Sequence, residues 1–301
     1  MKEKQLELLS YMYSKYIKDS NYHKRMIKSI KEEECSVLWY EKILDLVQDN
    51  FDGMISTNEI IELLNLDSSD EVLDIGSGFG GVSLAVAKKM KEIRNTEKMP
   101  KSIGHVTGVE IQKDRCDFAM SISEKLGVDE LVSFECDYFP DTKLLKEKYT
   151  KIVSVLAILH FIDKEKTLKK IGSLLAPGGT LVIEDYYTIE DNLSQKDKDA
   201  LLSTISIPNL MTKEKYIDIL RESGVMIKDE NVIDLTEKWG GLCNNRVIDN
   251  ENKKDELINA WGEEKATNHV EFCKGVHELY AKGVIHGFRI IGTKKTKGSK
   301  K

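Results

Sequence analysis

Residues 71–81 read Glu-Val-Leu-Asp-Ile-Gly-Ser-Gly-Phe-Gly-Gly, so a short apolar strand runs straight into a glycine-rich turn. An amphipathic helix follows, from Val82 to about Lys91. No other stretch limits the fold as strongly. Glycines at 76, 78 and 80 allow the backbone to turn sharply and to approach a ligand closely at the helix N-terminus. In dinucleotide-binding proteins that terminus holds a pyrophosphate. Alone, the loop is also compatible with a plain βα turn, so the remaining elements decide.

They repeat the same alternation. His105–Glu110, Val132–Cys136, Ile152–Leu156 and Thr180–Glu184 have the short apolar pattern of strands. Helical spacing occupies Arg115–Leu126 and Lys164–Leu175. Strands alternating with helices predict an α/β fold: a Rossmann-like, doubly wound, mostly parallel sheet with helices on both faces. Residues 1–66 read as a helical N-terminal cap, with apolar positions Val37–Tyr40, Ile43, Leu44 and Val47, a break at Phe51-Asp52-Gly53, and a helix over Thr57–Leu64. Ser56 or Thr57 is the expected N-cap of that helix. The core spans 67–187, with a polar insertion at Glu92–Lys101. A helical substrate-cap insertion covers 188–282, with helices at Gln195–Leu202, Lys213–Ser223, Asp255–Trp261 and Asn268–Ala281. Residues 283–293 read as a final sheet strand, and 294–301 as a disordered Lys-rich tail.

The formal net charge of −6 argues against a whole-surface nucleic-acid binder. Five dispersed cysteines without a CxxC pair fit reduced thiols in a cytoplasmic protein. The six histidines are scattered, so no metal site is expected. No run approaches the ~20 apolar residues of a membrane span, and the charged N-terminus has no signal-peptide core.

Three further features bear on the glycine loop. Glu110 ends the second strand, where an acid accepts hydrogen bonds from both ribose hydroxyls. The polar insertion accounts for its long separation from Gly80, compared with the usual ~20 residues. Asp137 ends the third strand, a place suited to an adenine amino group, and Ala176-Pro-Gly-Gly-Thr180 precedes a later strand. Together VLDIGSGFGG, TGVEI, CDYF and LLAPGGTLVIED resemble the class I S-adenosylmethionine-dependent methyltransferases over about residues 70–186. The resemblance implies S-adenosylmethionine as cofactor and S-adenosylhomocysteine as product. It places Asp74, Gly76 and Gly78 at the methionine end, Glu110 and Ile111 at ribose and adenine, and Asp137 and Tyr138 at the adenine edge; Ala157 joins the cofactor-binding set. NAD is the alternative, since GSGFGG fits GxGxxG if Gly81 is counted, but no hydride-transfer site stands out.

The fourth strand leads into Ala157-Ile-Leu-His160, which is similar to the matching stretch of phosphoethanolamine N-methyltransferases and their glycine- and sarcosine-methylating relatives. That similarity implies a catalytic role for His160, whose imidazole can take a proton from the acceptor nitrogen. Other positions depart from the family. Its Arg-Asp pair before AILH is Val155-Leu156 here, its dyad tyrosine falls near Glu32, and its phosphate-holding residues fall near Ile205–Asn209, where no arginine stands. A different small acceptor is therefore expected: an amine, an amino acid or a heterocyclic nitrogen. Tyr40, Tyr186, Tyr187 and Arg246 are candidate substrate contacts, the last in a loop-like stretch with Trp239, Asn244 and Asn245. Aromatic faces can hold a methylated ammonium, and an arginine can hold a carboxylate bidentately. Gly53–Thr57 is a candidate lid near the methionine carboxylate. An RNA or protein methyltransferase would need an open, basic face or an NPPY-type motif; a catalytically inactive cofactor-binding regulator would bind without turnover. The expected partner is a small molecule, with neither nucleic acid nor membrane.

Overall fold

The computed structural model describes residues 1–16, 42–45, 47–96 and 102–296. Eight strands form one sheet: β1 Glu71–Ile75, β2 His105–Glu110, β3 Val132–Cys136, β4 Tyr149–Val155, β5 Leu175–Tyr187, β6 Val225–Met226, β7 Val232–Asp234 and β8 His286–Lys294. Their order is β3-β2-β1-β4-β5-β8-β6, with β7 also on β8. Strands β1 to β5 pair in parallel, whereas β8 runs antiparallel to β5 with Asp185 opposite Phe288. The strand order reverses between β1 and β4. In open α/β sheets that switch point is where the crevice for a ligand opens, at the strands' C-terminal ends.

Alternation along each strand feeds two cores. Val72, Val153 and Val182 face a cluster with α2 (Met54–Leu64), α3 (Gly81–Thr96) and α4 (Lys113–Leu126). Leu73, Ile152, Leu181 and Ile183 face the other, with α5 (Lys164–Leu174) and α7 (Lys213–Glu222). Both faces being covered explains why these strands read as nearly continuous apolar runs. A third cluster joins α6 (Gln195–Ile205), α8 (Thr236–Asn252) and α10 (Glu263–Ala281) around Phe51, Tyr186 and Trp239. Helix α9 (Lys254–Trp261) lies between α8 and α10, and α1 (Lys2–Tyr16) packs on α6 and α10.

Several boundaries differ from the sequence reading. Helix α2 begins at Met54 with Gly53 as N-cap, so Ser56 and Thr57 lie inside it, buried. Their hydroxyls turn inward to Glu184 and Gln48 instead of capping. Helix α3 continues to Thr96, through half of the stretch read as a polar insertion. Strand β5 begins at Leu175, which pairs with Tyr149 of β4; the Ala176–Gly179 stretch bulges out, with Gly178 at φ +80°, before pairing resumes at Thr180 opposite Lys151. The loop expected at Trp239–Arg246 is helix α8, despite Gly240 and Gly241. Burial of Trp239 against Phe51, with ring centroids 4.9 Å apart, outweighs the weak helix propensity of the two glycines.

One buried ionic network ties α2 to the sheet. Arg289 donates to Glu184 at 2.7 Å and to Glu59 at 2.6 Å, and Ser56 donates to Glu184 at 3.2 Å. Glu184 is 1% exposed, and burial pushes its carboxyl upward against the pull of Arg289. Arg289→Met would leave that charge without a partner, so urea unfolding at pH 8 should show a loss of about 3–5 kcal/mol. The loss should shrink at pH 5, where Glu184 can take a proton instead.

Candidate active site

A cavity of about 430 Å³ opens at the switch point. Its floor is the glycine turn. Gly76, at φ +74°, occupies the left-handed region, and a Cβ there would stand 2.3 Å from the Cβ of Ala157. Only a residue without a side chain lets β1 and β4 come this close. On the β4 side Leu156 takes the compensating strain, at φ +50°, and donates its N–H to the Glu184 carbonyl at 2.8 Å. A left-handed conformation at a γ-branched residue costs on the order of 1–3 kcal/mol and tends to mark functional turns.

The carboxylates sit on the β1–β3 side. Asp74 accepts from Ser83 at 2.6 Å, and burial pushes its carboxyl up to about 6. Glu110 accepts from the backbone N–H of Gly78 at 3.1 Å and of Gln112 at 2.9 Å, one on each oxygen. One lone pair on each oxygen therefore remains for a diol. Burial raises its carboxyl while the Arg115 charge opposes the rise. Arg115 pairs with Asp49 at 3.1 Å and lies over the Phe79 ring. Asp137 is bonded by Lys2 of α1, which holds its carboxyl below the usual range. Among the described residues, the buried Asn50 Oδ1, Ser77 Oγ and Tyr138 Oη have no hydrogen-bond partner, and all three residues line the cavity. Such atoms suit a ligand rich in polar groups, because an unsatisfied buried polar atom costs about 1–3 kcal/mol.

His160 ends a short 3-10 turn, Ile158–His160, that follows β4. Its Nδ1–H donates to the Ser206 carbonyl at 3.3 Å, which leaves Nε2 with the lone pair. Burial lowers the imidazole to about 4, with Lys164 and Arg115 adding to the effect, so it is neutral at pH 7. The turn is fixed from several directions. Gln5 of α1 donates to the His160 carbonyl at 2.7 Å and accepts from the Ile162 N–H. Lys164 donates to the Phe161 carbonyl at 2.9 Å and to Asn209 at 3.0 Å.

Of the residues singled out in the sequence, Asp74, Gly76, Gly78, Glu110, Ile111, Asp137, Tyr138, Ala157, His160, Tyr186 and Arg246 all line the cavity. Tyr187 does not, which corrects its reading as a substrate contact. One residue past Tyr186 on the same strand it faces the opposite side, bonding Asp234 at 3.0 Å and packing on Phe288. Tyr40 lies outside the described residues. The candidate lid Gly53–Thr57 supports the wall rather than forming it: Thr57 donates to Gln48 at 2.7 Å and accepts from Asn50 at 2.9 Å, and it is Val47–Phe51 that lines the cavity. Gln5, Arg115, Asn250 and His269 also line it and carry no sequence signal of their own. They arrive from α1, α4, α8 and α10, far apart in the chain.

Residues 66–224 match the family model described as a methyltransferase domain. A phosphoethanolamine N-methyltransferase of Triticum aestivum is 24% identical over 80% of this chain and 44% of its own length, so the chain spans less than half of that relative. One of Plasmodium falciparum is 26% identical over 83% of this chain and 88% of its own length. Among solved structures, a Haemonchus contortus phosphoethanolamine N-methyltransferase in complex with phosphomonomethylethanolamine and S-adenosylhomocysteine aligns with a TM-score of 0.71. It is 17% identical, over 87% of this chain and 58% of the other.

Proposed function

Given that the chain belongs to the class I S-adenosylmethionine-dependent methyltransferases, we propose that it methylates a small molecule, on nitrogen. The observation that carries this reading is one cavity that joins the Glu110–Gly76–Asp137 edge to the neutral His160, with walls supplied by the cap helices α1, α8 and α10. Its volume of about 430 Å³ falls within the roughly 300–1,000 Å³ usual for small-ligand sites. The curated relatives named as phosphoethanolamine N-methyltransferases support a nitrogen acceptor.

The residues present fit S-adenosylmethionine. Glu110 would accept from its ribose hydroxyls. Asp137 and the Tyr138 edge would meet the adenine, with Ile111 against its face. Asp74, Ser77 and the Gly76–Gly78 backbone would hold the methionine end, together with Gln48 and Asn50. When bound, the cofactor supplies an electrophilic methyl on a sulfonium. This chain's part is to align the acceptor, exclude water and remove one proton. His160 Nε2 is the group that takes the proton, and its hydrogen bond to Ser206 keeps the ring in the right tautomer. Ala157 and Leu156 shape the passage between the two halves of the cavity.

Incubation with tritium-labelled S-adenosylmethionine and a cell extract tests the reading. Label should enter the ultrafiltered small-metabolite fraction and be absent from it with His160→Ala. Label confined to the RNA or protein fraction would overturn it.

A further inference from the structure

The two halves of the cavity differ in charge. Its four carboxylates, Asp49, Asp74, Glu110 and Asp137, are all on the glycine-loop side. Each is already engaged, by Arg115, by Ser83, by two backbone N–H groups and by Lys2, respectively. Beyond Ala157 and His160 the described walls are apolar, with Phe51, Leu159, Tyr186, Phe272 and Val276 facing the space. No carboxylate is among the described residues lining that half. Among the described residues, its one full charge is Arg246 on α8. The Nη2 of Arg246 donates to the carbonyls of Asn50 at 3.2 Å and Phe51 at 2.8 Å, and the guanidinium lies 5.4 Å from the Phe51 ring centroid. No carboxylate among the described residues forms an ion pair with it, and burial raises the thiols of Cys243 and Cys273 while the Arg246 charge opposes the rise. Asn250 and His269 add neutral polar groups to the same wall.

This arrangement selects against a cationic acceptor. An alkylammonium would leave water for an apolar chamber with no anion to receive it, beside a guanidinium of like charge. An apolar molecule with one anionic group meets the opposite conditions, because a carboxylate pairs with the guanidinium and the rings cover the remainder. We infer that the acceptor is a planar, apolar acid whose carboxylate is held by Arg246 and whose ring N–H faces His160. This deepens the methyltransferase reading and rests on it. In the step itself the ring N–H bond breaks and its proton goes to His160 Nε2. The N–CH3 bond forms as the S–CH3 bond of S-adenosylmethionine breaks, its electron pair remaining on the sulfur of S-adenosylhomocysteine. The ring N–H becomes acidic only as the N–CH3 bond forms and charge develops on nitrogen, which is when a weak base such as the buried His160 can take its proton; an alkylammonium has no lone pair for attack until it has first lost a proton to that same weak base.

The test needs no knowledge of the natural acceptor. Protein saturated with S-adenosylhomocysteine is titrated by calorimetry with 2-naphthoate, 2-naphthamide and 2-naphthylmethylammonium. The acid should bind at least about tenfold more tightly than the other two. Arg246→Gln should abolish the preference, and Arg246→Lys, which keeps the charge, should restore part of it. A merely structural role through the Asn50 and Phe51 carbonyls would change all three ligands alike. The inference is overturned if the ammonium matches or exceeds the acid, if 2-naphthoate shows no binding, or if the preference survives Arg246→Gln. Failure of S-adenosylhomocysteine to bind the unaltered protein would instead sink the methyltransferase reading itself.

Discussion

Gly76→Ala should reduce the affinity for S-adenosylhomocysteine by at least about 100-fold and lower folding stability by about 2–4 kcal/mol. Two independent effects combine. An alanine at φ +74° pays the left-handed penalty of about 1 kcal/mol or more. Its methyl would also stand 2.3 Å from the Ala157 Cβ, and both atoms are fixed by backbone at the ends of adjacent strands. Relief requires β1 and β4 to separate where the cavity floor forms, so ligand binding suffers more than folding. Gly241→Ala is the matching control. Gly241 lies in α8, and a Cβ there would meet nothing within 4 Å. That variant should gain about 0.5–1 kcal/mol from better helix propensity and leave binding unchanged. Calorimetric titration and urea unfolding of both variants check the pair. Normal binding by Gly76→Ala would show that this loop is not the cofactor cradle.

His160→Ala should lower kcat by about 10²–10⁴, the usual worth of a positioned general base, while S-adenosylhomocysteine affinity stays within about threefold. The pH dependence gives a second, independent readout. The competent form is the neutral imidazole, which burial favours down to about pH 4. Turnover should therefore be lost as pH falls toward 4 and stay level through the range where an ordinary histidine titrates. A limb near 6.5 in kcat/KM would mean that the ring is more hydrated than its bond to Ser206 and its burial indicate. Gln5→Ala perturbs the same turn without touching the ring. It should lower kcat by a smaller factor and leave the position of the acidic limb unchanged.

What the sequence made legible and what it concealed divide along a physical line. The glycine-loop edge of the cavity is readable because its signals are local: a strand, a turn and a helix start lie within about ten residues, and acids at strand ends are placed by the fold itself. Glu110 and Asp137 follow from counting strands, and Ala157 comes with the family resemblance. The opposite side of the cavity is less readable because its walls come from α1, α8 and α10, which meet only in three dimensions. Arg246 was named as a candidate, but in a loop. The Gly240-Gly241 pair suggested irregular chain, and only the packing of Trp239 between Phe51 and Tyr186 makes a helix there. A Cβ at Gly287 would collide with the Trp239 ring at 2.4 Å, so the partner strand is also shaped to receive it. Tyr186 and Tyr187 looked equivalent in sequence. Strand parity separates them, one facing the cavity and the other Asp234. Gln48 and Asn50 were missed because two amides in a polar segment carry no periodic signal; their roles depend on Thr57, nine and seven residues away.

Among the described residues no helix is long and apolar enough to cross a membrane. The most direct measurement is calorimetric titration of the protein with S-adenosylhomocysteine and with NAD, repeated on Glu110→Ala. Glu110 holds the glycine turn through Gly78 and keeps a free lone pair on each carboxylate oxygen. One-to-one binding of S-adenosylhomocysteine, no binding of NAD, and a loss of at least about tenfold in Glu110→Ala are the predicted results. Tighter binding of NAD, or no heat with S-adenosylhomocysteine, would contradict the account.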